Sequence, residues 1–202
     1  MKRAYAFLVL PVASLLLAVT PMSSSQDPSL RGVPMDEALQ AWIEAGTPGP
    51  MHERLTRQVG RWKTSMRTWC EPGAEPMVSE GEAVIEPILG GRFVEERATS
   101  TMMGQPTERR HYTGYSNIRK QFVSFSIDSM STGVIASCGG LSPDGNVLTL
   151  FSRMDEPMTG EIAKPVQSVI RFEGEGRFVV EAFEVIHGEP YRVVEIQYDR
   201  QE

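Results

Sequence analysis

Residues 107–153 read TERRHYTGYSNIRKQFVSFSIDSMSTGVIASCGGLSPDGNVLTLFSR, and this stretch decides the fold. Its runs are short and rich in Tyr, Thr, Val, Phe and Ile, the residues that suit a pleated, half-buried surface. Ser116-Asn117 and Pro143-Asp144-Gly145-Asn146 cut between them with tight-turn chemistry. No helical crossover fits between the runs, so neighbouring strands pair antiparallel as hairpins.

The same pattern extends outward to both sides. Ten runs are expected from Gly60 onward, at about 61–69, 78–87, 92–101, 107–115, 119–127, 133–140, 147–153, 164–172, 177–186 and 190–199. Leu89-Gly90-Gly91 and Gly174-Glu175-Gly176 supply further turns. A long meander either keeps two bare edges or closes into a barrel, and closure removes the edges. The expected fold is therefore mainly β, a ten-stranded antiparallel up-and-down barrel over 60–202 with short N-terminal helices. Parity then puts the loops near 71–76, 102–106, 128–132, 154–161 and 187–189 on one rim. The tight turns fall on the other, pinched rim.

Ahead of the barrel the chain has two parts. Residues 1–25 begin with Lys2 and Arg3, continue through an apolar run at 4–19 broken by Pro11, and end in Thr20-Pro21-Met22-Ser23-Ser24-Ser25. That is the order of a secretory signal, and the run is shorter than the roughly 20 residues of a spanning helix. Export to a periplasmic or extracellular space is the expectation, with cleavage after Thr20 or Ser25; an uncleaved anchor is the alternative. Residues 26–59 form a polar lead and a helical plug. Pro34 opens a helix with Asp36 and Glu37 in its first turn and Leu39, Trp42 and Ile43 on one stripe. A second short helix over 51–59 places Leu55 and Val59 together and enters the barrel from the pinched end.

Composition narrows the partners. The chain has 20 Lys plus Arg against 26 Asp plus Glu, a formal charge of −6, and loss of Lys2 and Arg3 leaves 18 against 26, or −8. Such a surface argues against nucleic acid, whose phosphates need a basic one. No stable membrane insertion is expected after signal cleavage. Two cysteines are too few for a disulfide scaffold or a four-thiolate zinc site. In an oxidising compartment Cys70 and Cys138 either pair, which needs Cα atoms within about 7 Å, or remain two separate thiols.

Gly60-Arg61-Trp62 after a short helix resembles the Gly-x-Trp signature of lipocalins and related calycin barrels. That resemblance implies a tryptophan closing the barrel base beneath a basic residue near the last strand, here Arg200. A guanidinium stacked on an indole is physically sensible there. A wider set of elements resembles the domain-of-unknown-function 1579 family from about 48 to 200. They are Gly49-Pro50…His52…Arg54-Leu55…Val59-Gly60-x-Trp62-Lys63, Leu89-Gly90-Gly91-Arg92-Phe93, Met103-Gly104-x-Pro106 and Gly114-Tyr115-Ser116-Asn117. Asp128-Ser129-Met130-Ser131-Thr132-Gly133 and Asp155-Glu156-Pro157-Met158-Thr159-Gly160 complete the set. Ser116 stands where that family often has Asp. The resemblance implies no chemistry, because the family has no assigned activity.

Catalytic signatures are absent from the sequence: no Gly-x-Ser-x-Gly elbow, His-Glu-x-x-His, Cys-x-x-Cys or phosphate loop occurs. No cofactor or metal is called for. His52, His111 and His187 are scattered, and only His111 sits on a strand that can turn it inward. Glu95, Glu96, Asp128, Glu181 and Glu195, with Arg97, Arg109 and Arg110, either pair on the outer face or line a cavity. Any inward Glu should then face an inward Arg. Met102, Met103, Met130, Met154 and Met158 fall on the wider rim with Met77 nearby. Flexible thioethers there suit a mouth for apolar ligands, a second core, or a soft metal ion.

The sequence points to an exported barrel protein that reversibly binds a small, largely apolar molecule. Gly60, Trp62 and Arg200 would close the base. Thr64, Met66 and Thr68, sharing the parity of Trp62, would face inward, and Met102, Met103, Met130 and Met158 would line the mouth, with His111 and Asp128 as polar contacts. One alternative is an enzyme using Asp128, Arg109 and His111, which requires a strongly shifted pKa. Another is a barrel filled solid by its own side chains, serving structure or interaction.

Overall fold

The computed structural model describes residues 34–102, 104–157, 159–186 and 189–202. The signal-like residues 1–25, Met103, Met158 and His187 lie outside the described residues. The chain divides into a unit ending at Ala38 and a second running from Leu39 to Glu202, which contains the whole barrel.

Ten strands follow one another in the second unit: β1 (Gly60–Thr68), β2 (Met77–Ile88), β3 (Phe93–Met102), β4 (Gln105–Ser116), β5 (Gln121–Asp128), β6 (Ile135–Leu141), β7 (Val147–Glu156), β8 (Glu161–Phe172), β9 (Arg177–Ile186) and β10 (Glu189–Arg200). Each pairs antiparallel with its sequence neighbour, and β1 closes against β10 from Trp62↔Arg200 to Thr68↔Val194. The result is the closed up-and-down barrel that the runs and turns predict. Two ladders carry irregularities, at Arg192/Val194 and Met154/Glu156, both toward the wider rim.

The N-terminal helices form where the sequence places them, with a change of winding in the second. Helix α1 (Met35–Gly46) forms where Pro34 and the acidic first turn place it. Its Leu39, Trp42 and Ile43 are exposed, so the apolar stripe is not buried. The Asn117 side chain holds the helix end by donating to the carbonyls of Ala45 (3.1 Å) and Thr47 (2.7 Å). The expected helix over 51–59 resolves into α2 (Pro50–Glu53) and a 3-10 helix over Arg54–Gln58. The tighter 3-10 winding turns Leu55 and Gln58 into the barrel end, where Leu55 is buried.

Packing at that end explains the Gly-x-Trp spacing. Trp62 is 1 % exposed, its indole N–H donates to the Gln58 carbonyl (2.8 Å), and the Arg200 guanidinium lies 4.2 Å above its ring. Arg200 also donates to the carbonyls of Val59 and Glu175, both at 2.8 Å. Gly60 adopts φ +147°, and a Cβ there would meet Arg200 Nη1 at 2.3 Å. The glycine therefore makes room for the cation that covers the tryptophan. Inside, Phe178 meets Trp62 edge-on and stacks on Tyr198, with centroids 4.8 and 4.1 Å apart.

The outer wall is charged. Arg67, Glu195, Arg192, Glu181 and Arg171 form a chain of ion pairs across β1, β10, β9 and β8, with separations of 2.5–3.0 Å. Exposed pairs of this kind contribute about 0–1 kcal/mol each. Their larger effect is to keep the outer face of these four strands in water. Cys70 and Cys138 are both free, and Cys138 lies opposite Val123 in the β5–β6 ladder.

Close strand approach sets a testable contrast. A Cβ at Gly139 would sit 1.9 Å from the Thr149 carbonyl oxygen, whereas one at Gly140 meets nothing within 4 Å. Gly139→Ala should lose about 1–3 kcal/mol of unfolding free energy in urea titration and Gly140→Ala less than about 0.5 kcal/mol. Equal losses would contradict this packing.

Candidate functional site

Alternation along each strand sorts side chains into an outer and an inner set. The inner set follows one gradient. It is buried at Trp62 and Thr64 on β1, then half-buried at Met66 and Thr68. The same change runs from Val94 and Glu96 to Ala98 and Ser100 on β3, and from Phe122 and Ser124 to Ser126 and Asp128 on β5. On β7, Leu148 and Leu150 are buried and Ser152 and Met154 are half-buried. On these strands the inward residues near the wider rim keep contact with solvent, whereas Val166 on β8 and Glu184 on β9 are buried there. The core cluster fills the lower half of the barrel. Above it lies the cup, the part of the interior that solvent reaches.

The cup has two kinds of wall. Strands β4 to β7 turn in Thr113, Ser124, Ser126, Ser137 and Ser152, and the Ser124 and Ser137 hydroxyls bond each other at 2.6 Å. Strands β8, β9, β10 and β1 turn in Val166, Val180, Ile196, Val194 and Met66, with Ser168 and the Lys164–Glu184 pair among them. Ile196 belongs to the core cluster, and Met66, Val180 and Val194 pack against that cluster. The β4–β7 side is thus richer in hydroxyls and the β8–β1 side richer in alkyl groups.

A polar cluster forms part of the floor. Arg109 Nη2 donates to Glu96 Oε1 (2.6 Å) and to the Tyr198 hydroxyl (2.7 Å), and Tyr198 donates to the same Glu96 oxygen (2.9 Å). Burial by itself would raise the Glu96 carboxyl, but Arg109, His111 and the hydroxyl of Tyr198 outweigh it and hold it below the usual carboxylate range. Glu96 and Tyr198 raise Arg109 further, so it stays charged. Burial drives the Tyr198 phenol above its ordinary value. The Arg109 side chain remains 32 % accessible, which places the cluster beneath the cup rather than in a sealed core. His111 is the cross-strand partner of both Glu96 and Ser126. Burial, reinforced by Arg109 and opposed by Glu96, pushes its imidazole down to about 4. It is therefore neutral at physiological pH, with one ring nitrogen to donate and one to accept.

Of the residues singled out from sequence, Thr64, Met66, Thr68, Met102, His111 and Asp128 lie on the inner faces of their strands. Met130 is exposed in the β5–β6 loop, beside Asp128 rather than in the wall. Met103 and Met158 fall outside the described residues. Asp128 and Arg109 are cross-strand partners, but the Asp128 Oδ1 accepts the Met130 amide (2.8 Å). His52 is structural: its Nδ1 accepts the Gly49 amide (3.0 Å) and its ring meets Tyr115 edge-on. Glu95, Glu181 and Glu195 pair on the outer face. Sequence reasoning missed Tyr198, the Lys164–Glu184 pair (2.6 Å) and the hydroxyl wall. Parity counted from Trp62 through each hairpin would have found the hydroxyls, whereas the cross-barrel bond to Tyr198 has no local signal.

Among the described residues no group of three or more His, Cys, Asp or Glu is placed to hold a metal ion. A separate notch of about 210 Å³ lies at Trp69, Gly73, Ala74, Tyr191 and Arg192. Its guanidinium is already held by Glu181 and Glu195 and stacks over Trp69.

The cluster predicts acid sensitivity. The unfolded chain binds a proton at His111 near pH 6.5, and the folded chain does so only near 4. Stability should therefore fall as pH drops across that window, with this group contributing up to about 1.4 kcal/mol per pH unit. Glu96, also depressed, adds its loss at lower pH. Urea titrations of wild type and His111→Gln between these pH values should diverge, and parallel profiles would contradict the assignment. Glu96→Ala strands Arg109 and should cost about 2–3 kcal/mol.

No curated protein matches the chain. Among solved structures, the crystal structure of Rv2717c from M. tuberculosis is similar, with a TM-score of 0.55 and 16 % identity, covering 77 % of this chain and 100 % of that one. At that identity the likeness shows the fold. The family model described as "Protein of unknown function (DUF1579)" matches residues 47–200, and the chain belongs to that family.

Proposed function

We propose that this is an exported binding protein that reversibly holds a small, largely apolar molecule bearing hydrogen-bonding groups. The observation that carries the reading is the inward gradient on β1, β3, β5 and β7, from a buried aromatic base to half-buried Met66, Ala98, Ser126 and Ser152 that solvent reaches near the wider rim. Barrels of eight strands already hold one small ligand, and ten enclose more room. The order of basic, apolar and small polar residues in 1–25 supports export.

The same residues serve an enzyme less well. A general base works best with a pKa near the operating pH, and His111 at about 4 lies well below it. A neutral imidazole suits ligand recognition instead. A solid structural barrel would need large side chains at every inward position, and Ser126, Ser137, Ser152 and Ser168 are small.

Native mass spectrometry of the protein taken from its own exported compartment tests this directly. A stoichiometric excess mass that disappears on denaturation is expected, and Ser152→Trp, which fills the cup, should remove it while leaving the melting transition in place. Bare protein, still empty after incubation with lipid extract, would overturn the reading.

A further inference from the structure

The cup contains cations, but its own carboxylates already hold them. Arg109 is bound by Glu96, with Tyr198 completing a triangle of three contacts of 2.6–2.9 Å. Lys164 is bound by Glu184 at 2.6 Å and by Glu161 at 3.2 Å. Asp128, facing Arg109 across the β4–β5 ladder, adds negative charge nearer the mouth. Glu96 and Glu184 are both buried, so neither can swing into water to release its partner.

An anionic head group entering this cup meets two penalties. It approaches Asp128 and a chain of net charge −6. To pair with the Arg109 guanidinium it must also compete with Glu96, which lies 2.6 Å from Nη2 and already neutralises that charge. A neutral head group meets neither. The hydroxyls of Ser126, Ser152 and Ser168 and the neutral ring of His111 can give and accept hydrogen bonds without disturbing the cluster. We infer that Glu96 determines specificity: by occupying Arg109 and Tyr198 it excludes carboxylate-headed amphiphiles and leaves the cup to neutral ones. This rests on the lumen-binding reading above and specifies its ligand class. Selection here works through a built-in competitor, since the cation that would bind an anion is present but engaged.

The test uses two fluorescent amphiphiles with the same apolar tail, one ending in a primary amide and the other in a carboxylate, titrated into the whole mature chain near neutral pH. Wild type should bind the amide at least about tenfold more tightly than the carboxylate. Glu96→Gln keeps an acceptor for Tyr198 and Arg109 but leaves the guanidinium charge uncompensated. Carboxylate affinity should then rise by about tenfold or more, with amide affinity nearly unchanged. Wild type binding both equally would overturn the inference and leave the binding reading standing. A folded Glu96→Gln protein with an unchanged amide-to-carboxylate ratio would do the same. The wild-type pair of affinities decides the preference even where the variant fails to fold. Binding of neither amphiphile would overturn the lumen-binding reading itself.

Discussion

Closure of β1 against β10 is the constraint on which everything else depends. Seven residue pairs, from Trp62↔Arg200 to Thr68↔Val194, join the first strand to the last and leave no open edge. At their lower end Arg200 covers Trp62, while Gly60 supplies the space that a side chain would otherwise fill. This contact fixes the phase of β1. Because antiparallel neighbours share a facing side at each paired position, one inward residue sets the inward residues of all ten strands. A slip of one residue would turn Trp62 outward and bring Arg61 and Lys63 inside.

From that phase comes a division of labour along the barrel axis. Near the base, large aromatic and aliphatic side chains meet across the interior and leave no space to share. Toward the other rim small residues such as Ala98, Ser100, Ser126 and Ser152 alternate with Met66, Met154 and charged pairs, and solvent reaches the half-buried ones. The Glu96–Arg109–Tyr198 cluster sits at the border between the two. Its position is chemically economical: the apolar base below depletes water and strengthens its bonds, while the cup above keeps Arg109 partly hydrated. His111, placed beside it with no opposite charge strong enough to keep it protonated, becomes a neutral hydrogen-bonding group.

Much of the fold was legible because turns announce themselves locally. Leu89-Gly90-Gly91, Ser116-Asn117 and Pro143-Asp144-Gly145-Asn146 mark the tight-turn rim, and the ten runs between turns correspond to the ten strands. Strand ends moved by only a few residues, chiefly where β7 and β8 extend past 153 and 164 toward the rim. The N-terminal helices were harder. The stripe of Leu39, Trp42 and Ile43 gave the helix but not its exposure, since burial depends on what a face meets. The candidate site was legible by half. Thr64 and Met66 follow from the parity of Trp62, whereas Glu95-Glu96 offers a carboxylate to each face, and only the barrel's register selects Glu96. The bond from Tyr198 to Glu96 spans 102 positions in sequence and is visible only after closure.

The central claim is that the upper barrel, and not its rim loops or outer wall, receives the ligand. Methionine-methyl NMR tests it most directly, because the methionines report from different places. Met66 and Met154 lie on inner faces of β1 and β7, while Met51 and Met130 are exposed outside the barrel wall. Titration with a neutral amphiphile should shift the Met66 and Met154 methyl resonances saturably and leave Met51 and Met130 in place. Saturable shifts confined to the exposed methionines would contradict the claim.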